Sequence, residues 1–323
     1  MMRKQIALVI PYFGSLPHWF PYFVRSISFS PIVHVFMFGD FSVNTALPEN
    51  ISVHPLSLAE FNRLASRKIG MEINIANGYK VCDLKPAFGR IFADYLKGFD
   101  YWAFGDLDIV LGNLQSIFDE KISANDITSF RKWWVSGSFC ILKNNDIINS
   151  LYESSPNYAS VFQSFDLLGF DELGGPFYSQ VRNGIPVDRV ESEIQSFTHL
   201  VTKATTEHRI RSHFEDLACE SIEWGKTIRF QNGELRRLDN DAPIMYVHFV
   251  IMKKRFFKFP SGNKAPDAFD IRNTGIYRCP SLLQGVYLDE PRRVVVSAMS
   301  GASRVLRKRV AQMKSVSAYG ASR

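Results

Sequence analysis

The sequence predicts an α/β protein with a mixed, mainly parallel sheet flanked by helices. Three stretches predict it. Ile6-Ala7-Leu8-Val9-Ile10 is an unbroken apolar run, as expected of a central parallel strand covered on both faces. A helix-like segment, Trp19 to Ile27, and a second apolar run, Ile32 to Phe38, come next at the spacing of a βαβ unit; ligands of such units gather at the carboxyl ends of the strands. The third is Tyr101 to Gly112, an apolar run interrupted by two acids, Asp106 and Asp108.

The remaining elements are read in chain order. Pro11-Tyr12-Phe13-Gly14 breaks the first strand, and Gly39-Asp40 ends the second. Ile51 to His54 reads as a short third strand and Leu58 to Lys68 as a helix. Apolar residues at 88, 91, 92, 95 and 96 predict a helix over Pro86 to Leu96. Ser138 to Leu142 reads as a strand, residues 146–165 as helical, and Gly169 to Pro176 as a turn-rich loop before a helix near Phe177 to Arg182. Residues 185–242 carry no clear pattern. Met245 to Val250 reads as a late strand and Pro260 to Pro266 as loop.

Asp106 and Asp108 lie at i and i+2. On a strand these positions point the same way, so both carboxylates can meet one ligand. Two bare carboxylates that close repel each other, and burying either is costly; a divalent cation resolves the conflict. Carboxylate oxygens suit Mg²⁺ or Mn²⁺, which commonly keep positions open for substrate phosphates. The same spacing also fits two ordinary acids in a strand-end turn.

Composition narrows the class. The hydrophobic share of 46% and charged share of 22% are those of a soluble globular protein. Cys82, Cys140, Cys219 and Cys279 are scattered, with no Cys-x-x-Cys or Cys/His cluster, so a structural zinc site is not expected and a reducing, cytoplasmic setting is. The first apolar run is too short for a signal peptide, and no stretch approaches the roughly 20 apolar residues of a membrane span. After Glu290 there are eight basic residues and no acid; set against a net charge of +6, these leave −2 on the rest. The basic balance therefore belongs to a tail, which argues against a nucleic-acid partner. Within that tail, Val294 to Met313 has apolar residues at helical spacing. It reads equally as a disordered basic tail or as a basic amphipathic helix suited to an anionic membrane surface.

Several motifs line up: Pro11-Tyr12-Phe13-Gly14, Gly39-Asp40, Lys80-Val81-Cys82-Asp83-Leu84-Lys85-Pro86, Gly105-Asp106-Leu107-Asp108, Ser136-Gly137-Ser138-Phe139, Phe170-Asp171-Glu172 and His248. In this the chain resembles the GT-A nucleotide-sugar glycosyltransferases. It is more closely similar to a bacterial family of uncharacterised glycosyltransferase-like proteins from polysaccharide gene clusters. The likeness covers about residues 5–255. It implies a GT-A, Rossmann-like catalytic domain over 1–260, a loop-rich extension over 261–290 and the tail over 291–323.

The resemblance also implies roles. Asp106 and Asp108 would bind Mn²⁺ or Mg²⁺, with Asp106 also on the nucleotide sugar, and His248 would be a third metal ligand, as in retaining enzymes. Tyr12, Asp40, Lys80, Asp83, Lys85, Gly137, Ser138 and Lys254 would line the nucleotide-sugar site, the small Gly137 and Ser138 letting the donor sugar approach the backbone. Asp171 and Glu172 would be the catalytic acids, deprotonating the acceptor or stabilising charge on the donor sugar. Each residue also has a plainer reading: a core histidine, a turn aspartate, a packed tyrosine, a local ion pair, a solvated loop. The implied activity is metal-dependent hexosyl transfer, with retention, from a UDP-sugar to a saccharide or lipid-linked saccharide acceptor in bacterial surface polysaccharide synthesis, in the cytoplasm or at the inner membrane face through the tail. Two other functions stay open. Asp106-Leu107-Asp108-Ile109-Val110 also fits the signature of haloacid-dehalogenase-type phosphatases, and an inactive GT-A fold could serve to bind saccharide.

Overall fold

The first apolar run forms β1 (Ile6–Pro11), an interior strand of a seven-stranded sheet. On one side it pairs in parallel with β2 (Val33–Gly39), and β2 with β3 (Ile51–Pro55). On its other side it pairs in parallel with β4 (Tyr101–Gly105). The chain then runs through β5 (Ile109–Leu111), β6 (Ile127–Ser129) and β7 (Phe139–Lys143). β7 lies antiparallel to β4 and to β6, and β8 (Ser212–Phe214) closes the sheet parallel to β6. The order is β3-β2-β1-β4-β7-β6-β8, a mixed and mainly parallel sheet in an α/β fold, as the sequence predicted.

This computed structural model describes residues 5–254, 257–260, 262 and 264–279, so the basic tail lies outside the described residues. The chain divides into two units, Met1–Tyr277 and Arg278–Arg323, and the site lies wholly in the first.

Strand alternation sorts the central side chains onto two cores. Ala7, Val9, Trp102 and Phe104 face one side, where Phe61 and Ala65 of helix α2 (Leu58–Ile69) cover them. Ile6, Leu8, Ile10, Tyr101 and Ala103 face the other, covered by Phe20, Phe23, Val24 and Ile27 of helix α1 (Phe20–Ser28). Each such large side chain removed from water contributes about 1.5–3 kcal/mol. α2 starts in a capping box, Ser57 with Glu60, and stops at Gly70 in the left-handed region (φ 80°), so its ends are written in the sequence.

Several elements depart from expectation. Of the helix expected over Pro86 to Leu96 only a single α-turn, Phe88–Ile91, is helical beyond Ala87, where a preceding 3₁₀ helix, Gly78–Ala87, ends. Asn77 starts it by accepting from the Tyr79 and Lys80 amides. The expected helix over 146–165 is three short pieces ending at Gln163, broken around Pro156, which has no N–H to donate. The unpatterned 185–242 contains a helix, Phe197–Thr206, together with β8, β9 (Ala218–Cys219), β10 (Ile228–Gln231) and β11 (Glu234–Arg237). The late strand expected over Met245 to Val250 is the shorter β13 (Tyr246–His248), preceded by β12 (Pro243–Ile244). Within the stretch expected to be loop-rich, β14 (Ala268–Arg272) and β15 (Gly275–Arg278) are strands of a second sheet ordered β12-β11-β10-β14-β15. Among the described residues no helix is long and apolar enough to cross a membrane.

Candidate active site

β1, β2 and β4 run parallel, so their carboxyl ends share one edge of the sheet, and the segments leaving those ends meet there. The expected single strand from Tyr101 to Gly112 ends at Gly105. Asp106, Leu107 and Asp108 form a turn, and β5 begins at Ile109. Strand alternation therefore does not align the two acids; the turn does. The Asp106 amide donates to the Ser138 carbonyl (3.1 Å) and the Phe249 amide to the Asp108 carbonyl (2.9 Å). β5 leaves the first sheet and pairs antiparallel with β13, setting Ile109 opposite His248. That pairing delivers the histidine to the acids. His248 Nε2 lies 3.3 Å from Asp108 Oδ1 and 3.8 Å from Asp106 Oδ2. Each of the three residues offers one ligand atom, all within 4.8 Å of one another.

Two carboxylate oxygens and an imidazole nitrogen this close together could hold one divalent cation. The donor set suits Mn²⁺ or Mg²⁺. The other ring nitrogen, Nδ1, faces Glu220 Oε1 at 3.5 Å. Glu220 is held by the buried Arg131 at 2.7 Å, and Arg131 also reaches Asp216 at 3.1 Å. A carboxylate behind a ligating histidine fixes its tautomer and orientation. Burial would pull His248 down, but Asp108 and Glu220 outweigh it and raise it to about 9. Burial would raise Asp108, yet His248 and Lys253 hold it well below the usual carboxylate range. Glu220 is likewise held near 2 against its burial, by His248 and Arg131.

Two lysines neutralise the acids from either side. Lys85 Nζ donates to Asp106 Oδ1 (2.6 Å) and to the Gly137 carbonyl (2.7 Å), and lies 3.6 Å from Asp171 Oδ2. Burial disfavours its charge, but Asp106 more than compensates, so Lys85 stays protonated far above neutral pH. Lys253 pairs with Asp108 Oδ2 and sits over the Trp19 ring, 5.3 Å from its centroid. Lys253 and Lys254 are both solvent-exposed on the 3₁₀ turn Met252–Lys254; the ion pair with Asp108 is made by Lys253, one position before the lysine chosen from sequence.

Asp171 reaches this group; Glu172 supports it. Both Glu172 oxygens already accept from the chain, Oε1 from the Gly137 amide (2.8 Å) and Oε2 from the Tyr178 hydroxyl. Burial raises the pKa of Asp171 well above the ordinary value against the pull of Lys85, with Glu172 adding to the rise. Gly137 is small for the sake of these acids: a Cβ there would overlap the Asp171 carboxylate and stand 2.9 Å from Glu172 Cγ. The group facing the Cα of Gly137 is thus a carboxylate. The Ser138 hydroxyl faces inward, 2.9 Å from both Ser136 Oγ and the Tyr246 hydroxyl, and is buried.

Lys80 and Asp83 likewise face inward. All three N–H bonds of the Lys80 ammonium stay within the chain, to Asp83 Oδ2 (2.7 Å), the Val161 carbonyl (2.8 Å) and the Asp166 carbonyl (2.6 Å). Asp83 accepts from the Leu168 and Phe170 amides and is fully buried. Residues i and i+3 eclipse in a 3₁₀ helix, which explains the division of labour in this motif: Lys80 and Asp83 share the inner face, while Cys82 and Lys85 share the face toward the acids.

Tyr12 and Asp40 sit at the ends of β1 and β2. The Tyr12 hydroxyl donates to the Ser15 carbonyl (3.2 Å), and Asp40 Oδ1 accepts from the Gly14 amide (3.2 Å). Asp40 lines a cavity of about 860 Å³ with Gly14, His18, Phe41, Asn44 and Phe259 among its walls. Sequence reasoning missed Glu220, Arg131 and Lys253. The first lies in the unpatterned stretch, and the last was one position from the residue chosen.

No curated protein matches the chain. Among solved structures it is similar to galactosyltransferase LgtC in complex with donor and acceptor sugar analogs (12% identity, 52% of this chain and 71% of that one, TM-score 0.29). It is also similar to mouse xyloside xylosyltransferase 1 in its apo form (11% identity, 80% and 99%, TM-score 0.37). Both likenesses are too remote to bear on function. Over residues 8–280 the chain matches a family of unknown function, DUF6625, and it belongs to that family.

Proposed function

We propose that this member of DUF6625 is a metal-dependent glycosyltransferase that moves a hexosyl group from a UDP-sugar to a saccharide acceptor. One observation carries the reading: Asp106, Asp108 and His248 offer ligand atoms within 4.8 Å of one another at the carboxyl edge of the sheet, flanked by the ammonium groups of Lys85 and Lys253. Carboxylates alone would repel a diphosphate. The same carboxylates holding a cation, with lysines beside them, would attract one.

A bound Mn²⁺ or Mg²⁺ would act as a Lewis acid on the departing diphosphate. The chain's own residues do the rest. Glu220 and Arg131 orient the His248 ring. Lys253, beside Asp108, would supply positive charge to a phosphate oxygen. Lys85 keeps Asp106 and Asp171 at fixed separation. Asp171, whose pKa is raised, is the carboxyl group able to hold or accept a proton at its Oδ2 atom near the reacting sugar; Glu172, with both oxygens engaged, braces it. The cavity beside Asp40 has room for the nucleoside end of the donor. Retention of anomeric configuration is the stereochemical reading that goes with His248 as a ligand.

The test is Mn²⁺-dependent release of UDP from UDP-sugars, with and without saccharide acceptors. Asp106→Ala and Asp108→Ala should each abolish release while retaining the fold, and the anomer of the product reads the stereochemistry. Full activity in both variants would sink the assignment, and hydrolysis of phosphomonoesters with no UDP binding would favour a phosphatase.

A further inference from the structure

We propose that Lys80 and Asp83 are positioning residues that latch the segment bearing Asp171 onto the helix bearing Lys85. The inference rests on the glycosyl-transfer reading and adds to it a residue pair remote from the acid cluster.

A buried ion pair adds little stability over an apolar pair of the same volume. This one supplies geometry. Lys80 and Asp83 are almost wholly inaccessible, and four of the five hydrogen bonds their side chains make go to a single stretch of chain: the carbonyls of Val161 and Asp166 and the amides of Leu168 and Phe170. Side-chain packing does not hold the middle of that stretch, because Phe165 is 68% and Leu167 40% exposed. One residue past the last latched amide comes Asp171, which faces Lys85 at 3.6 Å. Lys85 projects from the same 3₁₀ helix as the latch, on the face turned to Asp106. The helix thus fixes both partners: the latch sets where Asp171 stands, and Lys85 ties that position to the acid cluster. A displacement of about 1 Å in such a group can cost about 100-fold in rate.

The experiment combines hydrogen exchange with kinetics on the full chain, wild type against Asp83→Asn and Lys80→Met. The donor is whichever UDP-sugar gives the largest Mn²⁺-dependent thermal shift. In the wild type the amides of Leu168 and Phe170 should be strongly protected. Each variant should speed exchange over 164–172 about ten-fold or more while β1 and β4 keep wild-type rates. It should lower kcat about 10- to 100-fold with the donor KM and Mn²⁺ affinity within about two-fold of wild type. Wild-type amides at 168 and 170 that exchange as fast as open loop would overturn the latch without any variant. So would variants with unchanged exchange or unchanged kcat, or an equal loss of Mn²⁺ affinity. Faster exchange in β1 and β4 in both variants would make the pair a general stability element and also overturn the proposal. If the wild type turns over no UDP-sugar, the transfer reading fails, and the exchange results alone decide the latch.

Discussion

Replacing Gly137 by alanine separates two accounts of why that residue is small. A Cβ at this position would overlap the Asp171 carboxylate and lie 2.9 Å from Glu172 Cγ and 3.1 Å from Asp171 Cγ. Neither acid can swing away freely. Asp171 is buried beside Lys85, and Glu172 is held by the Gly137 amide and Tyr178. Overpacking of this kind costs about 1–3 kcal/mol. Losing the Glu172–Gly137 bond with its acceptor still buried would add about 1 kcal/mol or more. We therefore expect Gly137→Ala to lose about 2–4 kcal/mol of stability with no metal or donor present, read by urea denaturation at an unchanged m-value. If Gly137 served only the approach of a donor sugar, the ligand-free protein would be as stable as wild type and only the donor KM would rise. A loss under about 0.5 kcal/mol would refute the carboxylate account.

Three other outcomes are expected. Glu220→Gln keeps the shape behind His248 and removes the charge; Mn²⁺ affinity by calorimetry should fall about ten-fold, and an unchanged value would show that Glu220 does not support the ligand. His248, raised to about 9 in the metal-free protein, carries a proton at pH 7 that a metal must displace, while Asp108 is already ionised. Affinity should therefore rise about ten-fold per pH unit from 6.5 to 8 and level off above about 9, with one proton released per ion; a flat profile would remove His248 from the ligand set. Lys253→Met should weaken Mn²⁺-dependent UDP binding about ten-fold or more, whereas Lys254→Met should leave it within about two-fold, and the reverse order would restore the lysine chosen from sequence.

The sheet was legible because its strands are written as continuous apolar runs: β1, β2 and β4 fall on the three stretches that predicted the class. The acids and His248 were legible as chemistry, but their alignment was not. It comes from a turn and from a strand pairing between residues 109 and 248, which no local pattern encodes. The Lys80–Pro86 motif was recognised as functional as a whole, yet its split into an inner and an outer face depends on 3₁₀ geometry. The 3.6-residue stripe over 88–96 suggested an α-helix there. Glu220 escaped because short strands such as β9 leave too few residues to show a period.

The central claim is that Asp106, Asp108 and His248 grip one cation against a nucleotide diphosphate. A crystal grown with Mn²⁺ and UDP tests it directly through the anomalous signal of the metal. The account predicts a single strong peak about 2.1–2.3 Å from Asp106, Asp108 and His248 Nε2, with diphosphate oxygens completing its shell. Manganese bound elsewhere, or UDP seated without metal away from these three side chains, would contradict it.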